Sequence, residues 1–318
     1  MNKIPKWDIA SLQTHLQAAV DLEFWTIPFY LSALYSIKNP ASEAYQLIQS
    51  VAYQEMLHVE LAANLANAYG LSPKFDAPVY EGQAIPHLNF ALDIPNPVEK
   101  FSPYTAQIGG LDLEHINAMC LIEYPEWRTG HKVNFCPVVT EYGSIGEFYD
   151  AVELGAAELV ECLVGGHNQV NYFQNFYRLF TVQTVIADGT AGLPQAINLI
   201  KAIRTQGAGG QGTHNIPEEY RNTADDIEAA WQHFKKFKII RELPHFPETY
   251  HGVANPDVGS KGYDAQQILI ENFTAFRTVM EEMFSGKPMP AGFGAQMATL
   301  GGNILNCWKN GAIPKFSA

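Results

Sequence analysis

Residues 50–70 of the chain read SVAYQEMLHVELAANLANAYG, and this stretch gives the strongest indication of the fold class. Glu55 and His58 are three residues apart, so on a helix their side chains share one face. Val51 and Leu65 lie on the same stripe, so the carboxylate and the imidazole point where core residues point. A buried charge is costly unless it is paired or coordinates a metal. A Glu-x-x-His unit facing into a helix bundle is typical of carboxylate metal sites, so the stretch predicts two metal ligands.

A second segment of helical period supplies another buried carboxylate. Residues 11–36 read SLQTHLQAAVDLEFWTIPFYLSALYS. Glu23 lies within its apolar stripe, three residues after Val20 and four before Ile27. An ion pair with a cationic side chain from elsewhere is the alternative. That alternative is less favoured because residues 7–37 contain no Lys or Arg.

The composition limits the classes of function. A chain of 318 residues can bury a large core, and an apolar content of 47% is ordinary for a globular protein. The net charge of −13 argues against nucleic acid or an anionic membrane surface as a partner. No apolar run approaches the ~20 residues of a membrane helix. The four cysteines are widely spread without a C-x-x-C motif, which favours a reduced, cytoplasmic protein.

The rest of the chain reads as mainly helical, with long Pro-rich loops at 72–103 and 244–256. A short strand is predicted for HLNFALDI, residues 87–94, because its apolar residues alternate. Helical periodicity and cap signals predict further helices. They cover about residues 40–70, 111–125, 144–163, 193–206, 227–243, 264–285 and 291–308.

Several segments, taken in order, resemble one known family. They are LQAAVDLEFWTIPFYLSALYSI (16–37), YQEMLHVELAANLANAYGLSP (53–73), CLIEYPE (120–126), SIGEFYDAV (144–152), AINLIKAIRTQGAGG (196–210) and AAWQHFKKFKII (229–240). The chain resembles the ferritin-like 2-imino acid dimer synthases of the violacein and rebeccamycin pathways. The resemblance covers nearly the whole chain and implies a ferritin-like four-helix bundle with extra helices and long loops. It implies one domain over 1–318, with the bundle core at about 8–70 and 144–242 and a helical extension at about 257–318.

The resemblance also implies a set of metal ligands. Such a bundle offers a Glu from each of two helices and a Glu-x-x-His from each of the other two. The first Glu corresponds to Glu23, and the first Glu-x-x-His is the pair in residues 50–70. The second Glu corresponds to Ala208. The second Glu-x-x-His keeps His233 but has Ala230 in place of its Glu. Two expected carboxylates are therefore replaced by alanine, which argues against a complete di-iron site.

Three interpretations of this site stay open. In the first, one iron or other divalent transition metal is held by four residues, Glu23, Glu55, His58 and His233. In the second, Asp226, one helical turn before Ala230, substitutes for a missing carboxylate; its alternative role is a helix cap. In the third, the site holds no metal.

Two other groups of side chains have open roles. Glu123, in the CLIEYPE segment, is expected to pair with Arg128 or to line the cavity, and no metal position is assigned to it. A run of aromatic residues with helical spacing is expected to pack in the core, with the holding of an aromatic substrate as the alternative. The run comprises Tyr172, Phe173, Phe176, Tyr177 and Phe180.

The function expected from these features is metal-dependent oxidative chemistry on a small organic molecule in specialised metabolism. The resemblance implies an amino-acid-derived imine or a 2-oxo acid as substrate, and an oxidase, oxygenase or imine dimer synthase-like activity. The alternative is a non-enzymatic binding or scaffold protein with a degenerate metal site; iron storage is less favoured. A small-molecule partner is expected, without nucleic acid or membrane, and a homo-oligomer is compatible with the sequence.

Overall fold

The computed structural model describes residues 6–93, 95–125, 141–173, 183–207, 215–221 and 228–318. This described part contains eight α-helices and no strand longer than an isolated bridge. They are α1 Ile9–Ser36, α2 Glu43–Ala68, α3 Leu113–Ile122, α4 Ile145–Glu158, α5 Gly189–Gln206, α6 His233–Arg241, α7 Lys261–Phe284 and α8 Phe293–Lys309.

Four of these helices form a closed bundle. α1 packs against α2, α2 against α5, α5 against α4, and α4 against α1. α1 is buried on nearly all sides because α8 also covers it. Asp8 begins α1 by accepting a hydrogen bond from Ser11 N, and Ser42 begins α2 by accepting one from Tyr45 N. The predicted mainly α, ferritin-like four-helix bundle is confirmed.

The remaining helices cover the bundle. α6 packs against α2 and α3, which brings α3 beside the bundle. α7 and α8 pack together, α8 on α1 and α7 on α2. The indole of Trp308 on α8 donates a hydrogen bond to the Ser32 carbonyl on α1 at 3.0 Å. None of the described helices is long and apolar enough to cross a membrane.

The strand predicted for residues 87–94 is wrong. Phe90–Leu92 form a 3₁₀ turn, and Leu88 makes only isolated bridges. The side chain of Asn89 accepts a hydrogen bond from Ala91 N and thereby begins the turn. The alternating apolar pattern therefore reflects a loop whose Phe90 is buried, not a sheet.

Several predicted helix starts also differ from the structure: α5 and α7 begin earlier than predicted, at Gly189 and Lys261, and α2 and α6 begin later. α2 begins after Ser42 and not at Asn39-Pro40, because the Asn39 side chain accepts from Ala41 N and closes a turn. α6 begins at His233 rather than near residue 227. The Ala230 carbonyl accepts a hydrogen bond from Ile216 N at 2.8 Å, so the chain is still paired with a neighbouring segment there. Asp226, for which a helix cap was the alternative role, lies outside the described residues.

Candidate metal centre

Glu55 and His58 point into the bundle from α2. Both are about 1% exposed, and Glu55 Oε1 lies 3.4 Å from His58 Nδ1. They reach the interior because α2 buries the whole stripe on which they lie. Thr26 of α1 donates a hydrogen bond to the other oxygen of Glu55 at 2.8 Å, which fixes the orientation of the carboxylate.

Glu23 joins this pair from α1. Its Oε2 lies 3.4 Å from His58 Nδ1, and its Oε1 accepts a hydrogen bond from the hydroxyl of Tyr149 on α4 at 2.7 Å. Among the described residues, no hydrogen bond of acceptable geometry reaches Glu23 Oε2. A buried carboxylate oxygen without such a bond is costly unless another partner satisfies it.

His233, the first residue of α6, completes the predicted group. Its Nδ1 lies 2.8 Å from Glu55 Oε1, and the side chain is fully buried. No described residue makes a hydrogen bond of acceptable geometry to this Nδ1 atom. One ligand atom from each of Glu55, His58 and His233 lies within 4.8 Å of the other two. The structure therefore brings the four predicted side chains together, while their binding of a metal stays a prediction.

Glu123 is a fifth member of the cluster that the sequence reasoning did not assign. It lies at the C-terminal end of α3 and is 2% exposed. Its Oε2 is 3.4 Å from His233 Nδ1, and its Oε1 accepts a hydrogen bond from the Tyr30 hydroxyl at 2.7 Å. Of the two roles expected for it, the cavity-lining one describes its position; Arg128 lies outside the described residues. The signal was the apolar run that precedes Glu123, the same signal that identified Glu23.

The positions that lost a carboxylate are placed as follows. Ala230 lies before α6 begins, within the segment that pairs with Ile216. Ala208 and the substitute candidate Asp226 lie outside the described residues. Glu123 therefore supplies a third carboxylate that the comparison with the resembling family had not provided.

The outer nitrogen of each imidazole makes a hydrogen bond with a glutamine amide. His58 Nε2 lies 2.9 Å from Gln206 Oε1, and the amide nitrogen of Gln206 donates to the Tyr220 carbonyl at 2.6 Å. That second bond fixes which atom of the amide is oxygen, so His58 Nε2 must be the donor. His233 Nε2 lies 2.7 Å from the Gln54 side-chain amide. In its neutral form the His58 ring would therefore carry its lone pair on Nδ1, the nitrogen that a metal among the carboxylates would bind.

Burial and mutual charge shift the pKa values of the cluster. Burial raises the pKa of Glu23 to about 7, despite the opposing effect of His58. Burial also acts to raise the pKa of Glu55, but the nearby imidazoles of His58 and His233 outweigh it and hold that pKa below its usual range. For His58, burial opposes protonation, yet the Glu55 and Glu23 carboxylates raise its pKa above the ordinary value. Without a metal, protonation of Glu23 and His58 therefore offsets the negative charge of the buried carboxylates.

The cluster surrounds a small cavity with about 220 Å³ of empty space. Glu23, Glu55, His58 and Glu123 line it, together with residues of α4 and α5. A Cβ atom added at Gly207 would lie 3.0 Å from Glu123 Oε2, so the glycine lets the chain approach the carboxylate closely. Three carboxylates and two imidazoles, with Glu23 Oε2 and His233 Nδ1 unsatisfied among the described residues, fit a divalent transition metal.

Comparisons with known proteins agree with this fold. A family model described as Ferritin-like matches residues 16–242. The crystal structure of a ferritin-like protein from Caulobacter vibrioides at 1.95 Å resolution is 47% identical, with a TM-score of 0.87. The match covers 98% of this chain and 100% of that one. A search of curated proteins found no match.

This chain belongs to the Ferritin-like family. The family membership accounts for the bundle and is consistent with the inward-facing carboxylates and imidazole on α1 and α2. Membership of this family does not by itself assign the chain to the imine dimer synthases.

Proposed function

We propose that this protein is a metal-dependent oxidoreductase-like enzyme that acts on a small organic molecule. The observation that carries the proposal is the orientation of the two imidazoles. Each places Nε2 against a glutamine side-chain amide and turns Nδ1 toward carboxylates. His58 Nδ1 and His233 Nδ1 lie 3.4 and 2.8 Å from the same oxygen, Glu55 Oε1, and a metal ion held among these three side chains would account for that convergence.

The proposed ligands are the five residues of the cluster: Glu23, Glu55, Glu123, His58 and His233. One iron or other divalent transition metal is the favoured occupant, because ligand atoms of Glu55, His58 and His233 gather within 4.8 Å. Glu55 also lies between two pairs, Glu23 with His58 and Glu123 with His233. That arrangement is the observation that favours a second ion, and the metal stoichiometry distinguishes the two cases.

A bound transition metal would supply Lewis acidity or one-electron redox chemistry. The chain itself positions the proposed ligands, supplies their negative charge and shields them from bulk solvent. The hydroxyls of Tyr149 and Tyr30 hold Glu23 and Glu123 by hydrogen bonds at 2.7 Å. All five members of the cluster are at most 2% exposed, so the site is shielded from bulk solvent.

The class of substrate rests on the resemblance of the sequence to the imine dimer synthases. An amino-acid-derived imine or a 2-oxo acid is the proposed substrate, and specialised metabolism is the proposed context. A reducing, cytoplasmic location is also proposed, supported by the free thiols of Cys120, Cys162 and Cys307.

Metal analysis of protein expressed with iron and manganese, and purified without chelator, tests the proposal. We expect about one metal ion per chain by mass spectrometry in the wild type, which would be lost in Glu55→Gln and His233→Gln. Glu60→Gln is the matched control, since Glu60 is also buried on α2 but lies outside the cluster. Turnover is then measured as the consumption of a 2-imino acid generated in situ.

Two results would overturn the metal proposal. One is metal-free protein that shows no saturable binding when iron, manganese or zinc is added back. The other is equal metal content in the wild type and both cluster variants. Either result favours the non-enzymatic binding or scaffold protein. A metal-loaded protein that consumes none of the proposed substrates would instead contradict the substrate class alone.

A further inference from the structure

A second cavity lies between the bundle and the C-terminal helices. It has about 380 Å³ of empty space and is lined by residues of α1, α2, α7 and α8, together with Val170, Tyr172 and Phe173. A neighbouring cavity of about 390 Å³ shares the wall residues Ile27, Met56, Phe276 and Met297 with it, and the two cavities are together called the apolar chamber. Glu60 of α2 faces this chamber. It follows His58 by two residues, roughly 200° around the helix, so the chamber and the metal centre lie on different faces of α2.

Glu60 is an unusual residue for such a chamber. It is 3% exposed, and its Oε2 accepts a hydrogen bond from Tyr172 N at 2.7 Å. Its Oε1 has no hydrogen-bond partner among the described residues. Apart from the hydroxyl of Tyr172, the other described side chains that line the cavity are Phe, Ile, Val and Met. A buried carboxyl oxygen left without a partner costs free energy, which a ligand carrying a donor would recover.

Aromatic rings surround the same cavity. Tyr172 makes edge contacts with Phe173 and Phe293, both with ring centroids 5.1 Å apart. Phe293 also stacks on Phe276 at 5.7 Å with an interplanar angle of 11°. Ring faces attract cations, and clustered rings that recognise ammonium groups are a known use of this attraction. Two members of the aromatic run, Tyr172 and Phe173, are therefore placed where they can contact a ligand.

Methionines form much of the apolar lining of this cavity: Met56, Met280, Met283 and Met297. Methionine side chains are flexible and polarisable, so they can fit apolar bodies of different shapes. The lining can therefore adjust to the shape of a bound ligand.

We propose that this chamber binds an organic amine, with the ammonium group at Glu60 Oε1 and the apolar body among the methionines and rings. An ammonium group supplies both the missing donor and the compensating charge. A carboxylate ligand would meet a second acid, and a hydrocarbon would leave Oε1 unsatisfied. The site is independent of the proposed metal chemistry because it needs no ligand from the metal centre.

Calorimetric titration with 2-phenylethylamine and n-hexylamine tests the proposal. We expect saturable binding of both amines to the wild type, and at least tenfold weaker binding to Glu60→Gln. The neutral analogue 2-phenylethanol should bind the wild type more weakly than 2-phenylethylamine does. Its affinity should differ less than threefold between the wild type and Glu60→Gln. Phe293→Leu, which removes one ring and keeps the carboxylate, should weaken amine binding at least threefold.

Glu55→Gln is the control that separates this proposal from the metal centre, and it should bind the amines like the wild type. Circular dichroism checks that each variant is folded before titration. If Glu60→Gln is not folded, the comparison rests on Phe293→Leu and on the neutral analogue 2-phenylethanol. No saturable binding of either amine to the wild type at millimolar concentration would overturn the proposal. Equal affinities for the amine and the alcohol, or unchanged amine affinity in the folded variants, would also do so.

Discussion

His233 Nδ1 lies 2.8 Å from Glu55 Oε1, although the two residues belong to α6 and α2. This contact joins the Glu-x-x-His of α2 to a helix that the sequence places far along the chain. It also places His233 within 3.4 Å of Glu123, so that a third carboxylate enters the cluster from α3. The alanine at position 230 therefore does not leave the site with only two carboxylates.

Glu123→Gln should weaken metal binding at least tenfold. The substitution keeps the shape of the side chain but removes one of three carboxylate charges that face the proposed metal. Competition against a chromophoric chelator measures the affinity. Glu114→Gln is the control because Glu114 is exposed on the same helix. Equal affinities in Glu123→Gln and the wild type would remove Glu123 from the ligand set.

Gln206→Leu should lower metal affinity by about 10–100-fold without touching a proposed ligand. The amide of Gln206 accepts from His58 Nε2 and so holds the ring with Nδ1 turned inward. Gln206→Glu keeps an acceptor at this position and should retain most of the affinity. If the two variants bind metal equally, the orientation of His58 does not depend on this hydrogen bond.

Gly301→Ala on α8 should destabilise the protein by about 1–3 kcal/mol. An added Cβ would lie 2.3 Å from the Tyr35 hydroxyl, so α8 or the Tyr35 ring on α1 must move. Gly302→Ala is the matched control, since no atom lies within 4 Å of its added Cβ. That control should stabilise the protein by about 0.5–1 kcal/mol, because alanine favours helix interiors. Chemical denaturation measures both, and equal effects would contradict the close packing of α8 on α1.

His15 should make stability fall as the pH decreases below neutral. Burial lowers the pKa of His15 in the folded protein, and its ring nitrogens are bonded to the Ser11 carbonyl and the Tyr142 hydroxyl. The unfolded chain takes up a proton near pH 6.5, before the folded protein does. The stability from the neutral ring is therefore present above about pH 6.5 and is lost as the pH falls toward the folded pKa.

His15→Gln removes this proton uptake. The free energy of unfolding, measured between pH 7.5 and 5.5, should fall less steeply with decreasing pH for the variant than for the wild type. The two slopes should differ by at most about 1.4 kcal/mol per pH unit. The variant should also be less stable at pH 7.5, because the contact with Tyr142 is altered. A variant with the same pH slope as the wild type would show that His15 does not contribute.

Local patterns in the sequence predicted much of the bundle and three members of the cluster, and the family resemblance added His233. Glu23, Glu55 and His58 each lie in an apolar stripe of regular helical period, so their burial follows from the sequence alone. The strand predicted at 87–94 was wrong because period-two alternation also describes a loop with one buried aromatic residue. The start of α6 was wrong because a hydrogen bond from Ile216, in a separate segment, occupies the Ala230 carbonyl.

The sequence by itself determined that α1 and α2 are buried helices carrying acids and a histidine on their inner faces, because helical periodicity is a local property. The positions of Glu123, beside these residues at the end of α3, and of Glu60, facing a separate apolar chamber, are visible only in the folded protein. Both outcomes depend on how α3, α6, α7 and α8 pack against the bundle. Such packing is set by the sum of many weak contacts between distant segments, which no local pattern records.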